Sequence, residues 1–337
     1  MSAQTAPGKY WIQFTDKTNS PFSLSTPNQF LSSKAIERRI NQHIPLIEND
    51  LPVNQSYIDS VSGAGALIIN RSKWFNAVTI ATSDSAVLST IAAFSFVKQI
   101  RGVQRIVSTD RREEKFFLEQ SKNMSFCEPT LDSTYYGFSL NQIQMLAGDK
   151  LHFEGYKGAG KIIAVLDAGF SGVDTIGAFD NLWENNRILG TRDFISKDTM
   201  VFEDHAHGMY VLSVMGGWIP GKLIGTAPEA SYWLLRTEDA GSEYIVEEDN
   251  WVAAAEFADS AGVDIINSSL GYTTFDDPSH DHTYADMDGN STRITIGADI
   301  AASKGIIVVN SAGNSGASPW NYIGAPADGF NVLAVGA

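Results

Sequence analysis

The sequence predicts an α/β protein: a mostly parallel sheet flanked by helices, preceded by a small α+β domain. Three observations carry this. KIIAVLDAGF, residues 161–170, is a continuous apolar run, the pattern of a parallel strand buried on both faces. From residue 136 to the end, strand-like and helix-like stretches alternate, the order that a parallel sheet with crossover helices requires. Residues 9–107 show a β, α, β, α, β order of their own, and a charged, aperiodic stretch separates the two regions.

In the first region, KYWIQF (9–14) alternates and is rich in aromatics, as a strand is. Residues 27–42 read as a helix. Pro27 and Asn28 open it, Phe30, Leu31, Ala35, Ile36 and Ile40 fall at helical spacings, and Arg38 and Arg39 ride on it. A polar link with Pro45 and Pro52 follows, then a helical stretch near 54–62. ALIINRSKWFNAVTIAT (66–82) gives two strands, SDSAVLSTIAAF (83–94) a helix capped by Ser or Asp, and FVKQIRGVQRIV (96–107) a closing strand. Residues 108–135 lose all periodicity and cluster charge. They are a linker or processing region, with an uncut surface loop as the competing reading.

The second region, 136–337, begins with a helix at NQIQMLAG (141–148) and a glycine-rich turn at GYKGAG (155–160), ahead of the strand at 161–170. HGMYVLSVMGG (207–217) reads as a helix and SYWLLRT (231–237) as a strand. EEDNWVAAAEFADSAG is a helix ending at Gly262, and VDIINSSLG is a strand. TRITIGADIAASKG is a helix ending at Gly305. GIIVVNSAGN and FNVLAVGA are the last strands.

Composition narrows the function classes. The 337 residues carry 24 basic and 39 acidic side chains, a net charge of −15, with no basic block, which argues against nucleic acid as a partner. No apolar run approaches the roughly 20 residues of a membrane span. The N-terminus, MSAQTAPGKYW, has neither the basic nor the apolar region of a signal peptide, so either the protein is not exported or such a peptide precedes this sequence. The single cysteine, Cys127, cannot form an internal disulfide and has no histidine near it in sequence, which leaves a thiol nucleophile as a distant reading.

Three polar residues stand where a parallel sheet builds sites, at the carboxyl ends of strands. Asp167 ends a strand, His207 opens a helix, and Asn314 follows a strand. An aspartate can orient a histidine and stabilise its protonated form. The histidine can then deprotonate a hydroxyl, and an amide can donate to a developing oxyanion. Each has a plainer reading alone: a turn former, a surface residue, a chain reversal. Of the two histidines in EDHAHGM, His207 is the candidate, because Gly208 lets the helix start pack closely. His205 is then a flanking polar residue, and Glu203 and Asp204 tune local charge.

AVLDAGF, HGMYVLSVMGG, INSSLGY and VVNSAGNSG, in this order, resemble the motifs of the subtilisin-like serine proteases, the subtilase family. The likeness runs from about residue 136 to the last, beginning with YGFSLNQIQMLAGDKLHFEGYKGAG. WIQF, FLSSKAIERR, RSKWFNAVTI and FVKQI are similar to the prodomain of secreted bacterial subtilases. The resemblance implies the subtilisin-like fold and peptide-bond hydrolysis through an acyl-enzyme. It makes Asp167 and His207 the triad acid and base, Asn314 the oxyanion donor, and Ser269, Leu270 and Gly271 the segment that pairs with substrate backbone. It further implies a peptide or protein substrate, the chain's own residues 9–107 as chaperone and intramolecular inhibitor, no cofactor, and a secreted or periplasmic location.

Two features depart from the family pattern. Met209 stands where the motif has threonine, and no Gly-Thr-Ser segment, the site of the family's nucleophile, occurs before Ala337. Ser311, Ser315 and Ser318 flank Asn314, and Ser268 and Ser269 belong to the substrate strand; all are poor substitutes. The sheet is therefore expected to be incomplete at the C-terminus, the nucleophile to lie beyond residue 337, and the 337-residue chain to be inactive alone. The alternative is a non-enzymatic, subtilase-like peptide-binding or inhibitory protein. In FDDPSHDHTYADMDGNST (275–292), Asp286, Asp288 and Asn290 alternate in the manner of a calcium loop, and His280 and His282 are a weaker zinc pattern; a solvated acidic loop is the competing reading. The acidic run 237–251 is open to two readings, a cleft wall favouring basic or polar side chains, or a solvated face.

Overall fold

The computed structural model describes residues 5–105, 115 and 131–336. The chain divides into two compact units, Met1–Arg111 with Ser242–Ala337, and Arg112–Gly241.

In the first unit, strands β1 (Thr5–Phe14), β2 (Leu67–Ser72), β3 (Ala77–Asp84) and β4 (Val97–Arg105) form an antiparallel sheet in the order β2-β3-β1-β4. Alternation along β1 assigns its faces. Ile12 and Phe14 point toward helices α2 (Gln55–Gly63) and α3 (Ser85–Ala92), in a core with Ile58, Val61, Val78, Ile80 and Ile91. Trp11, one residue out of step, faces the other way, with Ala77 and Val103, and packs on Tyr244 and Val246. The stretch read as one helix over 27–42 is a 3-10 turn, Pro27–Gln29, followed by a separate helix α1 (Ser33–Asn41). Ser32 splits them: its hydroxyl accepts from the Ala35 N–H at 3.2 Å, capping α1.

The same unit holds β10 (Ile265–Ser268), β11 (Ile307–Ser311) and β12 (Val332–Val335), all parallel, with Ser268 opposite Asn310 and Val308 opposite Val332. Helices α9 (Val246–Ala261) and α10 (Arg293–Ser303) pack on each other and end at Gly262 and beside Gly305, as expected. The acidic run before Trp251 is neither a solvated face nor a cleft wall from Glu247 on. Glu247, Glu248, Asp249 and Asn250 are buried. Asp249 binds Arg293 at 2.7 Å and Thr79 at 3.2 Å, and Asn250 Oδ1 accepts from Asn70 Nδ2 at 2.6 Å. The sheet of β1–β4 thus lies on the first turns of α9.

The second unit has β5 (Ile162–Asp167), β6 (Ile188–Asp193) and β9 (Ser231–Arg236), parallel in the order β5-β9-β6. Helix α8 (His207–Gly216) packs on β5. Helices α4 (Leu131–Tyr136), α5 (Leu140–Met145) and α6 (Gly148–Phe153) adjoin a two-stranded ribbon of β7 (Trp218–Ile219) and β8 (Leu223–Ile224), with Tyr136, Ile143 and Ile224 as their core; α7 (Asp180–Glu184) precedes β6. Most of the expected linker, 108–135, and Cys127 with it, lies outside the described residues; its last part enters α4.

Lys17 is buried among three carbonyls, those of Glu48, Leu51 and Lys73, at 3.0, 2.6 and 2.7 Å. Burial lowers its ammonium to about 8, below the ordinary lysine range. Its folded pKa lies under its unfolded one, so the unfolded chain binds the extra proton and stability contributed here rises with pH. Denaturant midpoints of the wild type minus those of Lys17→Met are expected to rise from pH 8 to pH 10; a flat difference would refute the burial of this charge.

Candidate active site

Asp167 is the last residue of β5, its side chain wholly buried. Its Oδ1 accepts from the Ala168 N–H at 2.7 Å and lies 2.7 Å from His207 Nδ1. Burial raises the carboxyl's pKa, and the bond to His207 and the Ala168 N–H pull against that rise. A carboxylate only accepts, so Nδ1 carries the hydrogen and Nε2 is left as the basic nitrogen. The His207 side chain is 22% exposed. The pair can therefore take a proton from a group reaching Nε2 while the buried carboxylate holds the resulting imidazolium.

Backbone geometry sets this contact. His207 is the first residue of α8, and the Gly208 N–H donates to the Gly169 carbonyl at 2.9 Å. A Cβ on Gly208 would lie 2.5 Å from that carbonyl oxygen and 2.9 Å from Asp167 Cβ. Gly169 has φ +150, and a Cβ there would lie 2.6 Å from the His205 carbonyl oxygen. Two glycines thus allow the helix start to rest on the turn after β5. His205 is more than a flanking residue: its Nδ1 accepts the His207 N–H at 3.1 Å, satisfying one of the unpaired donors of the helix start. Asp204 has a definite partner as well. Arg236 binds Asp193 at 2.8 Å, Asp204 at 3.1 Å and the Ala168 carbonyl at 3.1 Å, tying the segment before α8 to the strand ends. Sequence reading passed over Arg236; a lone arginine closing the apolar strand SYWLLR was its only signal. Met209 is half-buried and Glu203 exposed.

In the other unit, Ser269, Leu270 and Gly271 continue β10, and Asn314 follows β11. Because Ser268 stands opposite Asn310, both segments leave the sheet at its carboxyl edge. Leu270 is buried and Gly271 exposed. Asn310, also missed, joins the two: its Nδ2 donates to the Leu270 carbonyl at 2.9 Å and the Ser311 carbonyl at 2.8 Å. Its signal was an amide inside the apolar run IIVVNS. Asn314 is exposed and precedes a short turn, Ser315–Ala317, closed by the Ser318 and Asn321 N–H groups on the Ser315 carbonyl.

The candidate cation loop uses its carboxylates locally. Asp286 accepts from the Thr283 N–H and hydroxyl, both at 2.7 Å, and Asp288 from the Asn290 and Ser291 N–H groups, both at 2.8 Å. Asn290 is exposed, and His282 Nε2 lies 2.6 Å from Glu248 on α9.

Comparison with known proteins agrees with this layout. Residues 158–337 match the model of the subtilase family, and residues 9–117 match the peptidase S8 propeptide domain of Bacteroidota. The chain belongs to the subtilase family. Subtilisin DY of Bacillus licheniformis is 30% identical over 200 residues, 58% of this chain and 62% of that one. Subtilisin E of Bacillus subtilis is 26% identical over 247 residues, 71% of this chain and 57% of that one. The chain thus spans less than two thirds of the length of these relatives. Among solved structures, the epidermin leader peptide processing serine protease of Staphylococcus aureus superposes with a TM-score of 0.56 at 17% identity, covering 99% of this chain and 70% of that one. The fold is subtilisin-like, a mostly parallel sheet flanked by helices with a small antiparallel propeptide sheet.

Gly208→Ala is expected to push α8 off the 167–170 turn, costing about 1–3 kcal/mol as an overpacked contact does. Urea unfolding measures it; a loss below about 0.5 kcal/mol, the range of neutral surface changes, would refute the close approach.

Proposed function

We propose that this protein is the precursor of a serine endopeptidase, with residues 9–107 as its propeptide and 136–337 as the first part of its catalytic domain. His207 is the general base and then the acid, Asp167 holds its tautomer, and Asn314 donates to the oxyanion. Ser269–Gly271 pair with the substrate backbone. The nucleophile is a serine outside residues 1–337, since the sequence has no Gly-Thr-Ser segment. The observation that carries the reading is the 2.7 Å contact between a wholly buried aspartate and a partly exposed histidine at a strand's carboxyl end. Family membership and the propeptide match support it. The reaction is hydrolysis of a peptide bond through an acyl-enzyme in a secreted or periplasmic setting. The linker or processing region expected at 108–135 lies up to residue 130 outside the described residues, apart from Lys115.

His207 and Asp167 act on that serine and the substrate in these steps. His207 Nε2 takes the proton of the serine hydroxyl as its oxygen attacks the substrate carbonyl, and Asp167 stabilises the imidazolium. The imidazolium returns that proton to the leaving amine, and a water repeats the cycle on the acyl-enzyme.

Labelling with a fluorophosphonate probe tests the assignment. The complete gene product is expected to label on a serine, and the 337-residue chain to stay unlabelled. His207→Ala is expected to abolish labelling, and Asp167→Asn to lower kcat about 10⁴-fold by favouring the wrong tautomer. Asn314→Ala is expected to lower kcat about 10²–10³-fold with little change in KM. Stoichiometric labelling of the 337-residue chain, or normal labelling of the His207 variant, would overturn the reading.

A further inference from the structure

Helix α1 stands apart from the core of the antiparallel sheet and sits on the C-terminal ends of α9 and α10. Two glycines form the seat. Gly262 and Gly305 both have φ +86; a Cβ on Gly262 would lie 2.7 Å from Lys34 Cβ, and one on Gly305 would lie 2.5 Å from Gln42 Oε1. Arg38 reaches into it. Its Nε donates to the Lys304 carbonyl at 3.0 Å and its Nη1 to the Val263 carbonyl at 2.5 Å. Its Nη2 donates to the Asp259 carbonyl at 3.2 Å and to Asp259 Oδ1 at 2.6 Å. One guanidinium thus caps the carbonyl ends of two helices, where the helix dipoles favour a cation.

A line of alternating charge extends from there. Lys304 binds Asp50 at 3.1 Å, Asp50 binds Arg39 at 2.7 Å, and Arg39 binds Asp259 at 2.9 Å. Lys73 closes on Asp259 from the far side at 2.9 Å. The signs interlock across the contact: Arg38, Arg39, Lys73 and Asp50 come from the propeptide side, Asp259 and Lys304 from the helices. None of these side chains is more than 10% exposed. Beside them Glu256 accepts the N–H groups of Lys73 and Trp74 at 2.7 and 3.0 Å.

We infer that the C-terminal ends of α9 and α10 form a guanidinium seat for the arginine pair of α1, and that this seat decides which propeptide the protein accepts and keeps. The inference rests on reading residues 9–107 as the propeptide. The apolar contact of Trp11, Ala77 and Val103 with Tyr244 and Val246 is non-directional, and any sheet of similar shape satisfies it. Asp259 is different. A propeptide without Arg38 and Arg39 leaves two of its three cationic partners missing in a buried site, which is strongly unfavourable. Burial also shields the network from salt.

The test uses the full chain with a site-specific protease sequence placed within 116–130. After cutting, the two pieces of the wild type are expected to stay together on gel filtration, at low salt and at about 1 M, where the screening length is about 3 Å. Asp259→Asn is expected to weaken retention about a thousandfold. The double variant R38M/R39M, which leaves the helices' own residues intact and keeps the Ile12–Ile91 core, is expected to do the same, with circular dichroism confirming its fold. Asp259→Asn added to R38M/R39M is expected to cost far less than it does alone, because the two sites are coupled. Wild-type pieces that separate at high salt, variants that hold as tightly as the wild type, or additive effects would overturn the inference. Retention is read without activity, so its failure and a failure of probe labelling are told apart.

Discussion

A carboxylate with no exposed surface must find fixed partners, and much of the second unit follows from supplying them to Asp167. The strand that carries it is buried, so water cannot solvate it. The Ala168 N–H and the His207 imidazole take that place. Bringing an imidazole to that depth requires a helix to begin almost on the strand's end, hence glycines at 169 and 208. The segment leading into the helix must then be held, and Arg236 holds it through Asp193, Asp204 and a main-chain carbonyl. Oδ2 of Asp167 has no hydrogen-bond partner among the described residues, so the carboxyl's burial is met on one oxygen only. Desolvation is accordingly the largest influence on its pKa.

The first unit solves the same problem with more charges. Helix α9 places Asp249, Glu256 and Asp259 among the buried residues, and each meets a cation or main-chain donors. Pairing of this kind yields little net stability, because desolvation offsets most of the attraction. What it yields is selectivity: a wrong partner leaves a bare charge. That distinguishes the contact of α1 with α9 and α10 from the apolar contact of the sheet beside it.

Sequence reading placed the main strands of the second region and helices α8, α9 and α10 well, because their apolar periodicity and closing glycines are strong. It passed over β6, where Gly190 and the charged pair Arg192–Asp193 hide a short strand, and over α6 and α7, each too short to show a period. It also merged the Pro27–Gln29 turn with α1, because the apolar residues on both sides of Ser32 keep helical spacing.

The sequence by itself determined the family and the candidate acid, base and oxyanion donor, since the motifs are short, contiguous and chemically unusual at strand and helix ends. It also determined that Gly208 serves a close approach. Only the tertiary structure decided that His205 caps the helix start, that Arg236 and Asn310 each tie segments at strand ends, and that Glu247, Glu248 and Asp249 are buried. The reason is physical. A motif records which groups chemistry needs at neighbouring positions, whereas burial and pairing join residues far apart in sequence, such as Arg38 and Asp259. Linear charge and periodicity carry no trace of such a contact until folding makes it.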